Sequence, residues 1–141
     1  KGSKQGGIKS ATDYKSYNKP LYEMITDSNL GITEEDINYG SIMVADDGLS
    51  LTGSLEDLRQ ISRIYTAFSE QYSVTFCFNK TIVNVIGTQK DREELHNSKI
   101  KIGGVDPHFD PTSLHIGLMM TEDLDETEKL NVQHRLKKVK I

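Results

Sequence analysis

The stretch Ser113-Leu-His-Ile-Gly-Leu-Met-Met-Thr-Glu-Asp-Leu-Asp-Glu-Thr-Glu-Lys-Leu-Asn-Val-Gln-His-Arg-Leu-Lys-Lys-Val139 decides how this chain is read. Leu114, Ile116 and Leu118 alternate over a strand length, which predicts one buried strand. After Met120 the composition switches to Glu122, Asp123, Asp125, Glu126 and Glu128, and then to Lys129, Arg135, Lys137, Lys138 and Lys140. Acids before bases is the order a helix dipole favours, so a terminal helix is predicted there. Asp125 with Glu128 three residues on has the spacing of a capping box, and Val132, Leu136 and Val139 form an apolar stripe.

Upstream of this stretch lie further elements. Tyr14, Tyr17, Leu21, Met24 and Ile25 fall at helical spacing, with Pro20 predicted either to start the helix or to kink it. Asn29 to Asn38 reads as a polar connection. Ser41 to Ala45 and Leu49 to Thr52 flank Asp46-Asp47-Gly48, which predicts a hairpin turning at those three residues. Ser54-Leu-Glu-Asp57 opens a helix whose apolar residues run from Leu55 to Phe68. Val74, Phe76 and Phe78 alternate, Asn79-Lys80 reads as a turn, and Thr81 to Ile86 is β-branched, so a second hairpin is predicted. Lys90 to Asn97 reads as a short helix, Ile100 and Ile102 as a strand, and Gly103 to Ser113, with its two Gly and two Pro, as a loop.

A chain of 141 residues suits one domain that folds without staples. Residues 1–13, with Lys1, Lys4 and Lys9 among glycines, read as a flexible basic tail, and 14–141 as a single domain. Cys77, the only cysteine, sits in an alternating run and reads as a core thiol, consistent with a reducing, cytoplasmic setting. A net charge of −4 argues against nucleic acid, whose binders concentrate bases to neutralise phosphates.

No nucleotide-binding glycine loop, zinc spacing or nucleophile elbow is present. His96, His108, His115 and His134 are scattered without the spacing of a ligand set, and Asp46-Asp47-Gly48 lacks the remaining ligands of a calcium loop. No enzyme activity, metal or cofactor is expected.

The closing Leu114-His-Ile-Gly-Leu118 followed by Val132-Gln-His-Arg-Leu136 resembles the end of profilins. Tyr14-Lys-Ser-Tyr-Asn-Lys-Pro-Leu21 is similar to their aromatic-rich first helix, and the two hairpins and the helix between them stand in the family's order. The resemblance spans about Tyr14 to Val139, and divergent profilins of archaea or early-branching eukaryotes fit it best. It implies an α+β, profilin-like fold: a central antiparallel sheet with the N- and C-terminal helices on one face and shorter helices on the other.

The resemblance also implies a cytoplasmic regulator of the actin cytoskeleton that binds the actin monomer, or an actin-like protein, and is itself a monomer. The implied actin-binding residues are Lys80, Ile82, Asn84, Lys90, Arg92, Asp123, Glu126, Thr127 and Asn131. A degenerate polyproline site would comprise Tyr14, Tyr17, Leu51, Arg135, Leu136 and Val139. With no Trp in the chain, two or three lost stacking contacts at about 0.5–1.5 kcal/mol each predict weak or absent binding of proline-rich ligands. Arg135, Lys137, Lys138 and Lys140 would serve phosphoinositide headgroups. The acidic turn from Glu122 to Glu128 departs from the family's pattern, as does the longer loop from Gly103. The alternative is a roadblock- or longin-like module, a dimerising scaffold for a trafficking or signalling complex.

Overall fold

A computed structural model describes residues 10–44, 47–115 and 118–139, with side chains described over 12–43, 47–115 and 118–133. Residues 1–9 of the expected tail lie outside these. The chain is α+β and forms two compact units, Lys1–Thr75 and Phe76–Ile141.

In the first unit, α1 (Ser10–Asp27) carries Pro20 inside it, where the missing N–H removes the hydrogen bond to the Ser16 carbonyl. The helix begins at Ser10, so the last four residues of the expected tail are helical. Asn18, Leu21 and Ile25, spaced three and four apart, are its buried face. That face packs on α2 (Leu55–Tyr72). As the sequence implies, the Ser54 hydroxyl caps α2 by accepting the Asp57 N–H at 3.1 Å. The helix runs four residues past Phe68 and ends where Ser73 turns left-handed, at φ 54°, and donates its N–H to the Ser69 carbonyl. Ile61, Ser62 and Phe68 are buried, and Phe68 stacks on Tyr72 at 4.6 Å.

The segment read as a polar connection contains a hairpin. β1 (Thr33–Glu34) pairs antiparallel with β2 (Ile37–Asn38) across Glu35 and Asp36, both at positive φ. Those are the backbone angles of a type I′ turn without its usual Asn-Gly. Below the hairpin, Tyr39 donates to Ile32, Ile32 to Leu51 and Leu51 to Tyr39, a closed ring of backbone bonds. Gly31 and Gly40 let the chain segments meet there, since a Cβ on either would overlap the other segment's backbone. β3 (Ile42–Val44) pairs antiparallel with β4 (Asp47–Leu49), with Val44 opposite Asp47. Of the expected turn residues, Asp47 and Gly48 are strand residues, and Asp46 lies outside the described residues. The Tyr65 hydroxyl lies against Gly48, a close approach that a glycine in a strand permits.

The second unit departs further from expectation. Instead of a hairpin over 74–86, the backbone curls into a 3₁₀ turn at Phe78–Lys80, with Lys80 donating to Cys77 and Thr81 to Phe78. β5 (Ile82–Val83) then pairs in parallel with β6 (His108–Phe109), inside the segment read as a loop. Cys77 is exposed, not a core thiol, because 74–77 joins no sheet that would bury alternate side chains. α3 (Gln89–Asn97) has a full capping box from Thr88 and Asp91. Ile100 and Ile102 are buried, with Leu95, but form no strand; a tight turn at Gly103-Gly104 folds Ile102 back onto Val105.

The closing stretch is a hairpin and a helix. β7 (Thr112–His115) pairs antiparallel with β8 (Leu118–Thr121), His115 opposite Leu118, where one continuous strand was expected; Ile116 and Gly117 lie outside the described residues. Leu114 and Leu118 are exposed in consequence. α4 (Leu124–Val139) packs on β8. Its cap is Asp123, whose carboxylate accepts the Asp125 and Glu126 N–H groups, two residues before Asp125, the cap expected with Glu128. Among the described residues the strands form four separate pairs, three antiparallel and one parallel, and no central sheet.

Candidate partner-binding surface

Antiparallel pairs alternate between residues that exchange hydrogen bonds and residues whose N–H and C=O point away from the partner strand. Glu122 donates to Pro111, which sets the phase: Thr112 with Thr121 and Leu114 with Met119 are the outward-pointing pairs. On the β8 side α4 meets both outward groups of Met119 and the N–H of Thr121. Asn131 accepts the Met119 N–H at 2.8 Å and donates to the Met119 carbonyl at 2.7 Å. Thr127, one turn earlier, accepts the Thr121 N–H at 3.0 Å. Two side chains at i and i+4 thus seal the outer edge of β8 and fix α4 along it.

Thr127 and Asn131 were expected at a partner interface; their polar atoms are engaged inside this unit. Replacing Asn131 with Asp keeps an acceptor for the Met119 N–H but sets a carboxylate against the Met119 carbonyl. We expect this variant to lose about 1–3 kcal/mol and Asn131→Ala a similar amount. Chemical denaturation checks both, and a loss below about 0.5 kcal/mol would contradict the edge-sealing role.

With the Asn131 amide turned to β8, a shallow depression of about 340 Å³ is lined by Leu118, Glu128, Asn131 and Val132. Leu118 and Val132 are about half exposed. Asp123, Asp125, Glu126 and Glu128 are exposed along the first turns of α4, and none is ion-paired among the described residues. Glu122 differs: its carboxylate stands 3.0 Å from Arg92 Nε, an ion pair whose angle falls short of a hydrogen bond. Arg92 also donates to the Gly87 carbonyl, so the guanidinium ties the start of α3 to the end of β8.

The remaining expected contact residues of this unit divide by exposure. Lys80, Ile82 and Lys90 face solvent, whereas Asn84 is half-buried, its amide nitrogen without a partner among the described residues. The Asp91 carboxyl is held below the usual carboxylate range by hydrogen bonds from the Thr88 side chain and backbone, with smaller help from Lys90 and Arg92. Among the described residues no three His, Cys, Asp or Glu side chains gather as a metal would need.

Of the expected polyproline residues, Tyr14 and Leu51 are half-buried in the first unit, and exposed Tyr17 donates its hydroxyl to the Tyr72 carbonyl at 2.7 Å. The side chains of Arg135, Leu136, Lys137, Lys138 and Val139, and all of Lys140, lie outside the described residues. Leu118, Glu128 and Val132 were not expected at the surface site. The i, i+4 step from Glu128 to Val132 on an acidic helix face was their one sequence signal.

No protein-family model, curated protein or solved structure matches this chain. No helix among the described residues is long and apolar enough to cross a membrane.

Proposed function

We propose that the chain is a divergent profilin-like protein that binds the monomer of actin or an actin-like protein and regulates filament assembly without catalysis. The observation that carries this reading is the surface of α4 and β8: half-exposed Leu118 and Val132 in a depression beside Glu128, with exposed Asp123 and Glu126, neither ion-paired among the described residues, at the start of the same helix. An apolar floor with a charged rim is the makeup of a protein-docking patch, in which the charges steer and orient the encounter. The first helix, the hairpin after it and the capped helix that follows are the elements that support the resemblance; the second hairpin and the single closing strand are not among them. Proline-rich ligands bind weakly or not at all, because the chain has no Trp and the Tyr17 hydroxyl is engaged by Tyr72. Anionic lipid would meet the bases from Arg135 to Lys140.

The test is an actin-assembly assay with this protein titrated in. Saturable slowing is expected, and Glu126→Lys or Lys80→Glu should raise the concentration for half effect several-fold, as rim charges do. Asp123 is avoided because it caps α4. Assembly unchanged at high protein excess would remove this reading and bring forward the dimerising scaffold.

A further inference from the structure

One face of α4 carries opposite charge in its two halves. Leu124, Asp125, Glu128 and Val132 are all exposed and fall within an arc of about 100° at the helix period, beside the face on which Thr127 and Asn131 bond β8. Neither Asp125 nor Glu128 has an ion-pair partner among the described residues. The helix continues to Val139, and two later positions return to the same arc: Arg135, seven residues beyond Glu128, and Val139, seven beyond Val132. From Asp125 to Val139 these residues are spaced three and four apart, the seam along which two helices pack. The depression at Leu118 opens in the middle of that seam, at Glu128 and Val132.

We infer that this face docks a second copy of the chain, the two α4 helices lying antiparallel across a two-fold axis near Val132. Charge selects both the occupant and its direction. Antiparallel, Glu128 of each copy comes beside Arg135 of the other and Leu124 near Val139 of the other; parallel, Glu128 would face Glu128 and Arg135 would face Arg135. A face complementary to itself about a two-fold is what an isologous dimer requires. Val132, half exposed in the single chain, then stands beside its counterpart at the axis and leaves water there.

One helix face per copy buries less than the roughly 1,200–2,000 Å² of stable complexes, so the pair dissociates at about 10–100 μM. The dimer covers the depression that an actin-like partner would use, so self-pairing and partner binding exclude each other. That competition rests on the actin reading, whereas the pairing itself does not.

Sedimentation of the isolated protein between about 1 and about 500 μM tests the pairing with no actin present. The average mass should rise toward the dimer's. Glu128→Arg or Arg135→Glu alone sets like charges against each other on both sides of the axis and should raise the dissociation constant at least about ten-fold. An equimolar mixture of these two variants brings opposite charges together again and should return it to within about three-fold of the parent's. Val132→Glu, which sets two carboxylates at the axis, should abolish the dimer and decides the matter where a charge-reversed variant fails to fold. A parent mass that stays constant overturns the proposal, as do single variants that associate like the parent, a folded mixture that does not recover, or pairing retained in Val132→Glu. A constant mass leaves the actin reading standing, and an unresponsive actin assay leaves the pairing standing.

Discussion

Gly103→Ala is expected to destabilise the second unit by about 2–4 kcal/mol, and Gly104→Ala by only about 1–2 kcal/mol. Both glycines sit at positive φ, 58° and 82°, in the turn that folds Ile102 back to Val105. A side chain at either meets the backbone penalty of the left-handed region. At Gly103 a Cβ would also fall within the ring of Phe78, whereas at Gly104 it meets nothing within 4 Å. The difference between the variants therefore isolates the contact between the Gly103 backbone and the Phe78 ring. Denaturant unfolding followed at amides of Ile100 and Ile102 measures it, and equal losses at the two sites would refute that contact.

Phe68→Ala should cost about 3–5 kcal/mol, the range for deleting a buried aromatic ring. Phe68 is fully buried, on the face of α2 that also buries Ile61, and loses its stacking on Tyr72 as well. Against a total stability of about 5–15 kcal/mol, the first unit would be left marginal. Phe68→Leu fills most of the same volume and should lose about half as much or less. Thermal melts of the pair provide the comparison; an alanine variant within about 1 kcal/mol of the parent would show that the site collapses around the deletion.

The helices were legible because their signals are local. Ser54 before an apolar period of three and four announced α2, and the acids preceding bases announced α4. The strands were not, for reasons that can be named. Leu114, Ile116 and Leu118 alternate in the sequence although Leu114 and Leu118 stand on the two strands of a hairpin, so periodicity cannot separate one strand from a hairpin there. The glycine in the sequence between Leu114 and Leu118 was the available clue, since Gly is favoured between the strands of a hairpin. At 74–80 the alternation of Val74, Phe76 and Phe78 was read as a strand, yet Phe78 lies against Gly103, twenty-five positions along the chain, and the backbone curls to reach it. Glu35 and Asp36 hold positive φ without the glycine that would have marked their turn. At the candidate surface, charge pattern located the first turns of α4. It could not show that Thr127 and Asn131 turn inward to β8, because their partners are backbone groups that carry no sequence signature.

Those inward bonds also bear on how the second unit is made. Each joins residues no more than twelve apart, so the segment from Thr112 to Asn131 can zip up from its own neighbours. Pairing of Ile82 with His108 must instead close a chain segment of twenty-six residues, at greater loop-closure cost. A nascent chain that has just released Asn131 already holds everything the terminal hairpin needs to lock, and the remainder of the unit can assemble on that preformed piece.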